Sequence, residues 1–349
     1  MSPTVAGVAL ACAVGGAVLA VAVFLIRNAG RLARIDLPDA RRLHQAPTPR
    51  GGGLAMPFAI SAAGAGWVSA FAPDRRDTLL LILGFALANG ILGIVDDYRP
   101  LRSRVKFGIQ GLLAMAFVTL GPRIEAIALP GPSALELGAA SYPFTVLWLI
   151  WASNVYNFMD GMDGLAAGSG VAFFFTLALV GWLGPGDAAS GWTSIFAAAA
   201  CAGFLAVNYP PARIFMGDGG ALFIGALLGG LAVALAMPRE GAVPFPAAVF
   251  AMGSFMWDAT YTIVMRMVRG EDWLHPHKRH LFQRLVTAGW THSAVRRVYV
   301  VLGLAGAAAA VAMTIGGAVI GTCAGAIALG LFVAVSYLTE QAEKRASSK

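Results

Sequence analysis

Residues 143–165 read PFTVLWLIWASNVYNFMDGMDGL, and this stretch decides the fold class. Its first half is apolar enough for the core of a bilayer, whereas its second half is crowded with amides and carboxylates. A helix needs about 20 mostly apolar residues to cross the hydrocarbon region. We therefore expect a membrane helix that ends in a polar site rather than in an ordinary loop.

Apolar runs of this kind recur along the chain, which has 349 residues, 58% of them hydrophobic and 12% charged. Soluble domains carry about 25% charged residues, so the composition favours a membrane protein. The last two apolar runs could form one re-entrant pair, which leaves ten spans as the alternative to eleven. The sequence predicts a single all-α, polytopic domain over residues 1–349. The runs lie at approximately 5–27, 54–72, 78–95, 105–121, 143–159, 164–184, 192–208, 219–237, 244–266, 297–316 and 318–338.

Basic residues predict the orientation of these helices. If the N-terminus lies outside and the helices alternate, four of the 25 lysines and arginines fall outside: Arg75, Arg76, Arg123 and Arg239. Cytoplasmic loops carry an excess of Lys and Arg, so we expect this orientation in a bacterial inner membrane. The same distribution argues against nucleic-acid binding, because the net charge of +7 lies in short loops between apolar runs.

This orientation places five polar segments on the cytoplasmic face. Carboxylates at membrane depth cost roughly 2.5–3.5 kcal/mol each on insertion scales. Their clustering suggests a shared active site and a cation that offsets their repulsion. The segments are the RGGG sequence at 50–53, the Asp96–Asp97 pair with Lys106, residues 154–165, residues 208–218 and the basic loop at 275–280.

The acidic and amide residues are the strongest candidates for metal binding. Asn154, Asn157, Asp160 and Asp163 are spaced by three, so neighbouring members share a face if the helix continues through them. A polar helix end with caps is the alternative. Amide and carboxylate oxygens suit Mg²⁺. Asp218 begins an apolar run after a glycine, where it is either a plain N-cap or, beside Asn157, a second metal ligand.

Four other candidates each have a functional and a structural interpretation. Asp96 and Asp97 form either a cation-recruiting pair or a solvated pair at the interface. Lys106 either steadies a phosphate or extends to the interface as a long amphipathic side chain. Phe215 either stacks on a nucleobase or anchors at the interface.

The basic loop contains His277, Arg279 and His280. Basic groups that bind a diphosphate would suit the acidic cluster, because both would act on the same ligand. A zinc site built on the HxH pair is a weaker alternative, since no cysteine lies nearby. A basic loop that only follows the membrane charge rule is the other alternative.

From about Arg42 to Trp290 the chain resembles the polyprenyl-phosphate N-acetylhexosamine-1-phosphate transferase family, which includes the phospho-MurNAc-pentapeptide translocase of peptidoglycan synthesis. The resemblance is carried by GGG at 51–53, the aspartate pair, NxxNxxDGxDGLA from Asn154, FMGD at 215–218 and HxHxxH at 275–280. It implies a polytopic helical fold with a cytosolic active site. It also implies Mg²⁺ or Mn²⁺ as cofactor, a UDP-N-acetylhexosamine and undecaprenyl phosphate as substrates, and UMP as a product.

The resemblance also implies a role for each matched residue. Asn157 and Asp218 would bind the metal. Asp96 and Asp97 would lie beside the lipid phosphate, with Lys106 nearby. The residues expected to contact the UDP-sugar are Asn154 and Asp160 within the matched stretch, Asp163 and Phe215 at the uracil, and His277, Arg279 and His280 at the diphosphate.

Two positions depart from the family pattern. Ala221 stands where members often have a serine, which bears on the start of the following helix. Phe282 stands where many members have a second histidine. An apolar Phe282 surface would suit a 6-deoxy sugar in place of UDP-GlcNAc, or its ring would only pack against a neighbouring helix.

The reaction expected from the resemblance is direct attack of the lipid phosphate on the β-phosphorus of the UDP-sugar, which would start O-antigen or another cell-envelope glycan. A two-step route through an aspartyl-phosphate stays open. The alternatives are a muramyl-pentapeptide transferase, a transporter of nucleotide sugars or lipid-linked sugars, and a non-catalytic scaffold. Asp258, inside the ninth run, is the main carboxylate away from a cytoplasmic helix end. The exact sugar, the lipid length and the oligomeric state, a homodimer included, stay open.

Overall fold

The computed structural model describes residues 1–29, 31, 34–36, 47–129, 133–184, 187–237, 242–272 and 279–347. Within these ranges helices dominate, so the all-α membrane class is confirmed. Two short antiparallel hairpins add to it: β1 (Arg34–Asp36) with β2 (Thr48–Arg50), and β3 (Ala126–Ala128) with β4 (Ala134–Glu136). The helices are α1 (Pro3–Arg27), α2 (Ala55–Phe71), α3 (Arg76–Tyr98), α4 (Ser103–Leu120), α5 (Ser141–Met159), α6 (Leu165–Leu183), α7 (Ala188–Asn208), α8 (Asp218–Leu235), α9 (Phe245–Ala251), α10 (Gly253–Val268), α11 (Leu281–Thr287), α12 (His292–Ile315) and α13 (Gly317–Ser347).

Eight helices in the described ranges are long and apolar enough to cross a membrane. They are α1, α2, α3, α6, α7, α8, α12 and α13. Two more predicted runs form α4 and α5, which carry Lys106, Gln110, Asn154 and Asn157 within them. The helices therefore lie where the apolar runs placed them, and the number that crosses the membrane stays a prediction.

The sequence predicted one helix for the ninth run, but the structure divides it into two. It breaks at Met252, whose φ of −111° and ψ of 22° depart from helical values. Both pieces, α9 and α10, pack against α12, where a side chain at Gly306 would collide with the carbonyl oxygen of Phe250. The last two runs form helices of 24 and 31 residues rather than a short re-entrant pair.

Helix α8 occupies the centre of the bundle. It is 94% buried over its apolar window, compared with 22% for α1 and for α13. It packs against α3 and α5, and it approaches α3 so closely that a side chain at Gly93 would overlap the carbonyl group of Asp218. This packing fixes the N-terminus of α8 among the ends of its neighbours, where the polar residues lie.

Candidate active site

Asp218, the first residue of α8, lies between two basic side chains. Its Oδ1 accepts a hydrogen bond from Arg50 Nη2 at 2.5 Å, and its Oδ2 accepts one from Lys106 Nζ at 2.7 Å. Asn157 Nδ2 lies 3.5 Å from the same Oδ2. Gly217 is the N-cap of α8, so the interpretation of Asp218 as a plain N-cap is wrong. Its carboxylate instead joins β2, α4 and α5.

The cap of α8 comes from Asp97, in the last turn of α3. Its two oxygens accept the backbone N–H groups of Asp218 and Gly219, each at 3.1 Å. The first N–H groups of a helix have no partner within the helix, and a carboxylate there also favours the helix dipole. Arg50 Nε lies 3.1 Å from Asp97 Oδ1 and offsets its charge. Ala221, where the resemblance led us to expect a serine, has no polar side-chain group and takes no part in this cap.

Asp96 has different partners from its neighbour. Its Oδ2 lies 2.8 Å from Lys106 Nζ, and its Oδ1 accepts the N–H of Leu101 at 2.7 Å. The side chains of Asp96, Asp97 and Lys106 are 15%, 10% and 13% exposed, respectively. The two aspartates are therefore not a solvated pair, and Lys106 does not extend to the interface. The bonds of Asp96 hold the α3–α4 turn and keep Lys106 against Asp218.

The Asn/Asp segment does not stay helical throughout. Helix α5 ends at Met159, so Asp160 is its C-cap and Asp163 lies beyond it. The condition under which neighbouring members share a helical face is therefore not met for these two aspartates. Asp163 Oδ2 instead accepts the N–H of Ala212 at 2.9 Å, which ties this segment to the loop before α8.

Asp160 lies close enough to Arg50, Asp97 and Asp218 for their charges to act on its carboxyl group. Burial raises the pKa of Asp160 to about 7; the attraction of Arg50 opposes the shift, whereas repulsion by Asp218 and Asp97 adds to it. The four carboxylates Asp96, Asp97, Asp160 and Asp218 all act on Arg50. Asp160 thus changes its charge near neutral pH inside a strongly acidic cluster.

Asn154, assigned to the substrate from the sequence, lies inside the helix bundle. Its side chain is buried, at 2% exposure, and its Nδ2 donates to Gln110 Oε1 and to the carbonyl of Ile150, each at 2.8 Å. Gln110 Nε2 lies 3.5 Å from Asn89 Oδ1, which extends the chain of amides into α3. One helical turn separates Asn154 from Asn157, and it moves the amide into the bundle. The amide of Asn154 therefore helps to join three helices, and its contact with the substrate stays a prediction.

Phe215 is fixed by its backbone. Its N–H donates to the carbonyl of Pro49 at 2.9 Å, and its own carbonyl accepts from Gly51 and Gly52 at 3.1 and 2.9 Å. Arg50 is thereby placed beside Asp97 and Asp218. The sequence reasoning gave Arg50 no role, although a basic residue before three glycines was the signal that could have revealed it.

The described part of the basic loop is engaged with protein groups. His277 lies outside the described residues. Arg279 is half-exposed and forms an ion pair with Glu271. His280 is 4% exposed, and its Nδ1 lies 3.3 Å from Asp258 Oδ1. Contact of these residues with a diphosphate stays a prediction.

Phe282 is fully buried, so the idea that its ring offers a surface to the sugar is wrong. The ring packs at an edge-to-face angle on Tyr299, with centroids 6.4 Å apart. A side chain at Gly161 would lie 3.1 Å from it. Gln283 Oε1 accepts the N–H of His280 at 3.3 Å. The departure from the family pattern at these positions serves packing and capping.

The donors of the cluster can be compared with the needs of a divalent cation. Among the described residues, no three His, Cys, Asp or Glu side chains converge on one metal-sized point. Mg²⁺ usually takes one or two carboxylates and completes its shell with waters and substrate phosphates. Asp218 and the neighbouring Asn157 amide fit that smaller requirement, since the orientation of an amide is an assignment that can reverse. The surplus of carboxylates over Arg50 and Lys106 also favours a cation.

The fold and this cluster define a polytopic membrane protein with a charged site at one end of its helix bundle. The chain belongs to glycosyl transferase family 4, whose model matches residues 79–236. The match contains Asp96, Asp97, Lys106 and Asp218, whereas Arg50 lies before it.

Curated relatives extend the similarity beyond that range. The chain is 32% identical to the probable undecaprenyl-phosphate N-acetylglucosaminyl 1-phosphate transferase of Bacillus subtilis strain 168, over 79% of this chain and 76% of the relative. It is 33% identical to the decaprenyl-phosphate N-acetylglucosaminephosphotransferase of Mycobacterium tuberculosis H37Rv, over 78% and 73%. It is 34% identical to the phospho-N-acetylmuramoyl-pentapeptide-transferase of Synechococcus elongatus, over 59% and 58%.

Proposed function

We propose that the protein transfers N-acetylhexosamine-1-phosphate from a UDP-sugar to undecaprenyl phosphate and releases UMP. The observation that carries this proposal is the position of Asp218, between Arg50 and Lys106 and beside Asn157, at one end of a membrane bundle. Two basic groups beside an acidic cluster suit a diphosphate donor, a phosphate acceptor and a divalent cation. The names of the relatives support a polyprenyl-phosphate acceptor and favour N-acetylglucosamine as the sugar.

In the proposed reaction an oxygen of the lipid phosphate attacks the β-phosphorus of the donor. A phosphorus–oxygen bond forms to the lipid, and the bond to the bridging oxygen breaks, so that this oxygen leaves with UMP. Lys106 and Arg50 would hold phosphate oxygens while the charge moves. Either Asp96 or Asp97 would take any proton of the lipid phosphate, since both lie beside the basic side chains that would hold it.

The proposed ligands of Mg²⁺ or Mn²⁺ are Asp218 and Asn157. A bound cation would supply neutralisation of the diphosphate charge. Asp163 and Phe215 would hold the uracil, and the bond from Ala212 to Asp163 supports this because it places both residues beside one loop. Asp160 would contact the sugar-nucleotide next to this loop.

The site is proposed to face the cytoplasm across a bacterial inner membrane, where the product would start O-antigen or another cell-envelope glycan. A cysteine-free background, without Cys12, Cys201 and Cys323, allows the orientation to be tested. Ser293→Cys should react with an impermeant thiol reagent from the cytoplasmic side, and Leu135→Cys from the outer side. The reverse pattern would place the site on the other face.

The activity is tested on purified protein in detergent. UMP release should require a UDP-N-acetylhexosamine, undecaprenyl phosphate and Mg²⁺ or Mn²⁺ together, and mass spectrometry should find the lipid-linked sugar phosphate. Failure to release UMP with every donor of a UDP-sugar panel would refute a transferase and favour a transporter or a scaffold. UDP-MurNAc-pentapeptide belongs in the panel because of the cyanobacterial relative, and preference for it would replace the proposed donor.

A further inference from the structure

Asp258, in α10, has a buried carboxylate that is far from solvent and has many partners. Its side chain is 1% exposed. Oδ1 accepts the Leu281 N–H at 2.8 Å and the Thr262 hydroxyl at 3.1 Å, and it lies 3.3 Å from His280 Nδ1. Oδ2 accepts the Phe282 N–H at 3.3 Å and the hydroxyl of Tyr299. So many donors leave no lone pair free for an incoming ligand.

These bonds fix the start of α11. The first N–H groups of a helix need partners from outside it. Asp258 supplies them for Leu281 and Phe282, while Gln283 accepts the N–H of His280. Because Tyr299 belongs to α12, one carboxylate joins α10, α11 and α12.

The start of α11, held by Asp258, lies directly against residues 157–163, which carry proposed metal-binding and substrate-binding residues. The ring of His280 stacks on Phe158, with centroids 6.0 Å apart and an interplanar angle of 29°. Phe158 follows Asn157 in the last turn of α5. The ring of Phe282 lies against Gly161, which follows Asp160. A shift at the start of α11 would therefore be transmitted to the end of α5, which carries Asn157, and to Asp160, which follows it.

We propose that Asp258 is a positioning residue, which acts through His280 and the start of α11 to hold residues 157–163, the end of α5 and the turn after it, in place for the donor. The inference rests on the proposed function. An asparagine cannot replace Asp258, because its NH₂ group would face either the donors on Oδ1 or those on Oδ2. One set of buried donors would then lose its acceptor, which favours a shift of α11.

The chain offers a matched control in Asp187. This carboxylate is also buried and also caps a helix, since it accepts the N–H and hydroxyl of Ser190 at the start of α7. Its helix start lies at the opposite end of α7 from Asn208, whose amide bonds the loop before α8. Asp187→Asn should lower thermal stability without a specific loss of donor binding.

The experiment compares Asp258→Asn, His280→Gln, the double variant and Asp187→Asn in UMP release. Asp258→Asn should lower kcat/KM by about 100-fold, mainly through donor KM, because an error of about 1 Å in placement has that effect. The double variant should be little worse than either single one. Additive losses in the double variant, or a loss of equal size in Asp187→Asn, would overturn the proposal.

A second measurement separates this inference from the proposed function. Trypsin cleavage after Arg279 should be faster in Asp258→Asn than in the wild type and in Asp187→Asn, because Leu281 and Phe282 lose acceptors. If the wild type releases no UMP but this difference is seen, the transferase proposal fails and the anchor stands. If the wild type is active and cleavage is unchanged in Asp258→Asn, the anchor fails alone.

Discussion

Asp97 and Asp258 perform the same task at two places in the bundle, since each caps a helix that begins on another part of the chain. Asp97 accepts the first N–H groups of α8, and Asp258 accepts those of α11. They differ in their surroundings. Arg50, the cation beside Asp97, is 30% exposed, whereas Asp258 is 1% exposed and is held by hydroxyls, backbone N–H groups and a histidine.

Because of this difference, we expect a ligand to reach the cap formed by Asp97, whereas Asp258 serves only to hold the start of α11. Near Asp97 the proposed substrate phosphate would compete for Arg50, whose side chain is 30% exposed and is shared between Asp97 and Asp218. Near Asp258 no such exchange is open, since its oxygens are saturated in the interior. The region around Asp97 is therefore suited to binding and reacting with a ligand, and the region around Asp258 is suited to positioning other residues.

The largest effect should follow a change at the accessible site. Asp218→Asn keeps the shape but removes the charge between Arg50 and Lys106, so kcat should fall by about 100- to 1,000-fold, the scale of losing one preorganised electrostatic group. UMP release by the wild type should likewise stop in EDTA and return with Mg²⁺. Full activity of either sample would remove the metal assignment.

Substitutions of Asp96 and Asp97 should differ in their effect on stability. Asp96→Asn should lower turnover more than donor affinity, because its assigned partner is the lipid phosphate. It should cost less stability than Asp97→Ala, because the amide oxygen of an asparagine can still accept the N–H of Leu101. Asp97→Ala should lower turnover and also destabilise the fold by about 1–2 kcal/mol, because it removes the cap of α8. Equal melting curves for the two variants would show that Asp97 is no structural cap.

A smaller effect is expected in the pH dependence. The Asp160 carboxyl, with its pKa raised to about 7 by burial, is neutral below that pH and ionised above it. Ionisation adds a negative charge to the cluster, so the apparent affinity for Mg²⁺ should rise as the pH passes through about 7. Asp160→Asn should flatten this rise in a metal titration of activity at several pH values. A rise unchanged by the substitution would assign the titration to another group.

The smallest functional effect belongs to the buried amide. Asn154→Leu should leave donor KM unchanged, because the buried amide of Asn154 is held by Gln110 within the bundle. The variant should lose about 1–3 kcal/mol of stability, since Gln110 is left with an unmet hydrogen bond in the interior. A large increase in donor KM at unchanged stability would return Asn154 to the substrate site.

The positions of the helices and the gathering of charge at one end were predictable, because hydropathy and alternation act through local sequence. Arg50 shows where this reasoning stops. Its partners Asp97 and Asp218 come from distant helices, and no spacing in the sequence reports that contact. The same holds for Asn154, whose orientation depends on Gln110 in α4. The end of α5 at Met159 agrees with the predicted run 143–159, but the contact of Asp163 with Ala212 beyond it does not follow from the spacing.

The backbone bridge at Phe215 has a consequence for redesign. Its N–H and C=O are held by Pro49, Gly51 and Gly52, and main-chain bonds of this kind do not depend on the side chain. The residue type at position 215 can therefore be varied while Arg50 keeps its place. If the ring faces the uracil as proposed, a small library at this single position is a route to variants that accept donors with other nucleobases.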